Sequence, residues 1–199
     1  MIIDYYFALS SPWSFLGCQR LRDIAGRNGA DIVAKATSIG KVFGVSGGLP
    51  LAKRPKQRQD YRIQELKRWR DYLDIPINLH PAHFPVDENL AARTVTAARI
   101  AGKDPLALAL GFHKAIWIEE RDISDRAEIA AIIDATIGGS AELMNAAEGE
   151  TVTAAYEADT QDAIDQGVFG APTYVVDGEL FWGQDRLDFL ERKLQGRKK

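Results

Sequence analysis

A handful of residues in this chain have types and spacings that could do chemistry. Ser11-Pro12-Trp13-Ser14 falls where an apolar stretch gives way to a helical pattern. Ser before Pro is a strong helix start, with Ser11 at the cap and Pro12 at the first helical position. The first turn of such a helix carries unpaired N–H groups and the positive end of its dipole, so an anion is favoured beside Ser11. Taken alone, the serines are equally well explained as a good helix start. In Phe169-Gly170-Ala171-Pro172-Thr173 a cis Ala171-Pro172 bond would turn the backbone of Ala171 outward, as an edge for an extended peptide. A trans proline would merely begin a strand. Lys53, Arg54, Lys56 and Arg58 form a short basic run, which ordinary solvated surface also explains.

The remaining reactive side chains exclude more than they suggest. Cys18 is the single cysteine, so neither an internal disulfide nor a dithiol couple within the chain exists, and it reads as a buried small residue. His83 has no second His or Cys at ligand spacing, and no metal site is expected. His113 lies on the apolar face of its helix and reads as a hydrogen-bonded core histidine. Trp13, next to Ser11, is either an aromatic wall or a packing residue.

These residues need elements to position them. The first eight residues and Asp31 to Ala36 read as strands with a helix between, hence a parallel pair. Thr173 to Val176 and Glu179 to Trp182 flank Asp177-Gly178, a strong hairpin signal, and a closing helix follows from Asp185 to Leu194. Between these ends the pattern is almost wholly helical. Ile63, Leu66, Trp69 and Leu73 mark one amphipathic helix; Asp104 and Pro105 open another; a third opens at Ser124; a fourth runs from about Thr151 to Gln166 and stops at Gly167. Lys41 to Pro55, rich in Gly, Pro and Ser, reads as a loop.

Composition sets the frame. With 199 residues, 46% of them hydrophobic, the chain can bury a substantial core. A net charge of -3 gives no general attraction to nucleic acid or an anionic membrane. No stretch reaches the length of a membrane span and no basic leader precedes an apolar run, so a soluble cytoplasmic protein is expected.

In order and spacing, S-P-W-S at a helix start, H-P-A-H-F-P, G-A-P-T before a hairpin and W-G-Q-D-R after it resemble the DsbA-like branch of the thioredoxin superfamily. Within that branch the chain resembles the kappa-class glutathione transferases and, more closely, the 2-hydroxychromene-2-carboxylate isomerases. The resemblance implies an α/β, thioredoxin-like fold with a large all-helical insertion. Residues 1–42 and 166–199 would form the thioredoxin-like domain and 43–165 the inserted subdomain.

It also implies a borrowed thiol. Ser11 and Ser14 take the places of the attacking and resolving cysteines of thioredoxin-like oxidoreductases, and glutathione would serve as cofactor with its thiolate beside Ser11. A hydroxyl donor and a helix N-terminus would bring that thiol's pKa from about 8.5 toward neutrality. Ala171, with Pro172, would hold the cysteinyl part through its backbone. Trp182, Gly183, Gln184, Asp185 and Arg186 would hold the γ-glutamyl end, Asp185 facing its ammonium. Lys53 and Arg54, and more weakly Lys41, are candidates for a substrate carboxylate, and His83 and Phe84 for the substrate pocket. The expected activity is glutathione-dependent isomerisation of a small aromatic carboxylate, by a homodimer. A kappa-class transferase or peroxidase is the alternative, followed by a non-catalytic thioredoxin-like binding module.

Overall fold

The computed structural model describes residues 1–196, and its core is a four-stranded sheet of order β2-β1-β3-β4. β1 (Ile2–Phe7) and β2 (Asp31–Ala36) are parallel and joined by α1 (Pro12–Asn28); β3 (Thr173–Val176) runs antiparallel to β1 and to β4 (Glu179–Trp182). The hairpin turns at Asp177 and Gly178, with φ of 50° and 77°, the left-handed pair that its sequence favours. β1 lies between two neighbours and is buried on both faces. Tyr5 stacks on Phe7 and Tyr174 at centroid distances of 4.6 and 5.3 Å, while Tyr6 packs on the other face with Val42, Ala163, Val168 and Val175. Such ring pairs add about 0.5–1.5 kcal/mol each beyond the burial itself.

Between β2 and β3 run seven α-helices: α2 (Ile39–Ser46), α3 (Lys56–Leu73), α4 (Asn89–Ile100), α5 (Pro105–Trp117), α6 (Arg126–Thr136), α7 (Ser140–Glu148) and α8 (Glu150–Asp165). A 3-10 turn at Gln184–Arg186 leads into α9 (Leu187–Leu194). Four expectations need correction. The stretch from Lys41 to Pro55 is not a plain loop: α2 occupies its first part and a 3-10 turn spans Leu51–Lys53. Phe43 anchors it, and a Cβ on Gly48 would fall 2.1 Å from that ring, so only glycine permits the close approach. The third helix is capped by Asp125, whose carboxylate accepts from Ala127 N–H, rather than opened by Ser124. The last helix begins at Leu187, two residues after Asp185. α4 and α7 have no counterpart in the sequence reading, because α4 is rich in Ala and Thr and buries almost its whole circumference, leaving no apolar stripe.

α1 crosses the sheet closely at Gly17. A Cβ there would lie 2.7 Å from the Tyr174 hydroxyl and 2.9 Å from Gln184 Cβ, and both neighbours are buried. Gly17→Ala is therefore expected to destabilise the fold by about 1–3 kcal/mol despite alanine's better helix propensity, read as a lower urea midpoint at unchanged slope.

Candidate functional site

The site is built where β1 hands over to α1. Ser11 caps α1 in extended conformation, its hydroxyl oxygen accepting from Ser14 N–H at 3.2 Å. The same hydroxyl lies 3.4 Å from the carbonyl oxygen of Ala171, to which it can donate weakly. Ala171 precedes the β1–β3 ladder, which begins at Thr173, and its bond to Pro172 is cis. Its backbone edge thus faces the Ser11 turn instead of a strand. Ser14 is fully buried, and its hydroxyl has no partner among the described residues.

The turn before Ser11 is held from the inserted helices. Glu88, at the start of α4, accepts from Ser10 N–H at 2.5 Å and Leu9 N–H at 3.2 Å. Burial pushes its carboxyl above the usual range, although both bonds pull the other way. From α5, His113 meets the Leu9 carbonyl through Nδ1 at 2.9 Å. A carbonyl only accepts, so Nδ1 carries the proton, and Nε2 is buried with no partner among the described residues, in keeping with a neutral core histidine. Burial lowers its pKa from 6.5 to about 4. A histidine depressed in the folded state contributes stability above its ordinary pKa and loses it as pH falls. The urea midpoint of the wild type should drop between pH 6.5 and 4, by up to about 3 kcal/mol of stability, and His113→Phe should flatten that profile.

Two clefts meet at this turn. The first, about 300 Å³, lies between α3 and the 3-10 turn after β4, and its walls include Ala171, Trp182, Gly183, Gln184, Asp185 and Arg186. Five consecutive residues and the edge residue before Pro172 are thus brought together around one cleft. Arg20 Nη1 donates to the Gln184 side-chain oxygen at 2.6 Å and to its carbonyl at 3.2 Å, fixing the turn; the amide nitrogen of Gln184 is buried with no acceptor among the described residues. Asp185 and Arg186 pair at 2.8 Å and both face solvent at the cleft's end. The second cleft, about 560 Å³, contains Ser11, Phe43, Arg54, Arg62 and Phe84. Trp13 and Ala171 wall both clefts.

The expected substrate residues divide. Arg54 and Phe84 line the second cleft; Lys53, Lys41 and His83 do not. Lys41 projects to the other side of α2 and pairs with Glu157 of α8. Lys53 is exposed on its 3-10 turn, and His83 is exposed with Nδ1 3.7 Å from an Asp122 carboxylate oxygen. Cys18 is buried, and desolvation raises its thiol to about 12, so it supplies no thiolate.

Sequence reasoning missed Arg62 and Glu88. Arg62 was detectable: with Leu66, Trp69 and Leu73 it continues the inward stripe of α3 at helical spacing, a charge where an apolar residue belongs. Glu88 gave no such signal, since its partners lie 78 and 79 residues away.

Known proteins resemble the chain along nearly its whole length. Residues 2–195 match the DSBA-like thioredoxin domain. The chain is 30% identical to a 2-hydroxychromene-2-carboxylate isomerase of Sphingobium xenophagum over 96% of its own length and 97% of the relative's. It is also 30% identical to one of Pseudomonas putida, over 96% and 93%. A solved 2-hydroxychromene-2-carboxylate isomerase superposes with a TM-score of 0.83 at 26% identity, covering 98% of this chain and 95% of that one. The cytosolic disulfide reductase DsbM from Pseudomonas aeruginosa, at 19% identity and a TM-score of 0.69 over 98% and 99% of the two chains, shares the fold. With a DsbA-like thioredoxin fold along nearly its whole length and relatives of one name at this identity, the chain belongs to the DsbA-like thioredoxin family, in the group of the 2-hydroxychromene-2-carboxylate isomerases.

Proposed function

We propose that this protein is a glutathione-dependent isomerase interconverting 2-hydroxychromene-2-carboxylate and trans-o-hydroxybenzylidenepyruvate. The names of its relatives point to the reaction, and one observation carries the reading. Ser11, at a helix N-terminus, stands where a polar-ended cleft joins a larger one bearing aromatic rings and cationic side chains.

The residues of the first cleft fit an extended tripeptide with two carboxylates and an ammonium. Ala171 offers backbone outside the ladder, Asp185 and Arg186 supply one charge of each sign, and the Gln184 amide nitrogen lacks an acceptor. Glutathione, when bound, would supply a thiol able to add reversibly to a conjugated carbon, so that the neighbouring double bond can rotate. The chain's own part is positioning and electrostatics. The Ser11 hydroxyl and the α1 N-terminus stabilise negative charge placed beside them. Trp13, Phe43 and Phe84 offer flat apolar walls for an aromatic substrate, and Arg54 brings positive charge to an acid group.

Absorbance-monitored conversion of 2-hydroxychromene-2-carboxylate, with and without glutathione while free thiol is titrated, tests the proposal. Glutathione-dependent conversion at constant thiol is expected. Thiol loss matching product formation would assign a glutathione transferase instead, since the same site could begin either reaction. Absence of both overturns the reading.

A further inference from the structure

Arg62 is placed where a positive charge is costly. It projects from the inward stripe of α3 into the second cleft, half-buried, and neither a carboxylate nor any hydrogen-bond acceptor among the described residues meets its guanidinium. Its neighbours are the faces of Phe84 and Trp117, at 5.4 and 5.8 Å from the guanidinium carbon to the ring centroids. Arg54 also lines this cleft. Its Nε donates to the Leu49 carbonyl at 2.7 Å and its guanidinium lies 6.0 Å from the Phe43 ring, with no carboxylate partner either. Burial and the nearby Arg54 together hold the pKa of Arg62 down, to about 10. Arg99, by contrast, points inward and is paired with Asp159 at 2.6 Å. Two cations share one cleft beside Ser11, and no carboxylate among the described residues pairs with either.

We infer that Arg62 and Arg54 together form the recognition site for the acid group of a flat, conjugated substrate, and that Arg62 is the residue that makes the cleft selective for anions. Planar guanidinium groups match a carboxylate's two oxygens and lie flat on aromatic rings, so each arginine can grip the acid while its stem stays packed against a ring. Phe84 then has a double part, as wall for the substrate's ring and as the seat of Arg62. The inference rests on the proposed function only for the substrate's aromatic, acidic character. It holds equally if the reaction is transfer rather than isomerisation.

The test needs no turnover. Binding of trans-cinnamate and of its neutral counterpart cinnamamide is followed by tryptophan fluorescence without glutathione, in wild type, Arg62→Leu and Arg62→Gln. Wild type should bind the acid about ten-fold or more tightly than the amide, the preference weakening with salt. Both variants should lose most of that preference while still binding the amide. Arg62→Leu should also melt at or above the wild-type temperature, because it removes an unpaired charge from a partly desolvated position. Equal binding of acid and amide by wild type, or survival of the preference in whichever variant folds, overturns the inference. Because the readout is binding, failure of isomerisation in the conversion assay leaves this test intact.

Discussion

Ser11→Ala is expected to lower kcat about 10²- to 10³-fold, the range seen when one preorganised donor to a developing anion is removed. The hydroxyl sits at the cap itself and lines the second cleft, whereas the Ser14 hydroxyl is buried behind it. It has a structural part as well, through the Ser14 N–H bond, so the variant should also lose about 1 kcal/mol of stability. Ser11→Asp separates the two. A carboxylate is a good N-cap and suits the helix dipole, so stability should return to the wild-type level or above. Activity should fall at least as far as in Ser11→Ala, because a fixed negative charge would occupy the position that the proposed function gives to a thiolate. Steady-state kinetics beside thermal melts reads both quantities. An active Ser11→Asp would show that the serine serves the helix and not the reaction.

Glu88→Leu should produce the second largest effect, and at a distance from the chemistry. Its carboxylate is the acceptor for two consecutive amides, those of Leu9 and Ser10, which meet no other acceptor among the described residues. Each orphaned buried donor costs about 1–3 kcal/mol, offset in part by relief of a buried charge, so a net loss of about 2–4 kcal/mol is expected. The turn that aims Ser11 would then lose its tie to α4 and keep only its own Ser11 N–H to Ala8 carbonyl bond, the Ser11 hydroxyl contacts and the His113 contact. A displacement of an ångström at the reacting group is enough to cost about 10²-fold in rate. Glu88→Gln keeps one accepting oxygen, and it should recover part of both stability and kcat. Urea unfolding together with kcat for the pair checks this; equal kcat in the leucine variant and wild type would remove Glu88 from the positioning of Ser11.

What could be read in the sequence was whatever has a local cause. Ser11 and Asp104 cap their helices because the residues they bond are two or three positions away, and Asp177-Gly178 turns the hairpin through its own backbone preferences. The run from Trp182 to Arg186 stayed together as a wall because it is contiguous. Charges on the inserted helices were less legible, since their roles depend on which neighbour the fold delivers. Lys41 meets Glu157 of α8 and leaves the cleft; Arg54, one residue beyond exposed Lys53, enters it. Arg62 and Glu88 acquire their meaning from Phe84, Trp117 and the Leu9–Ser10 amides, partners that no spacing rule supplies.

Trp13 and Ala171 face both clefts. A ligand seated in one therefore touches a boundary of the other, and under the proposed function the two affinities are expected to be coupled. Linkage makes such coupling reciprocal: the factor by which glutathione alters the affinity for an aromatic acid is the factor by which that acid alters the affinity for glutathione. If the proposed function holds, substitutions at Trp13 should accordingly change cooperativity between glutathione and an aromatic acid more than the binding of either alone, so that the shared wall governs how far the order of loading matters.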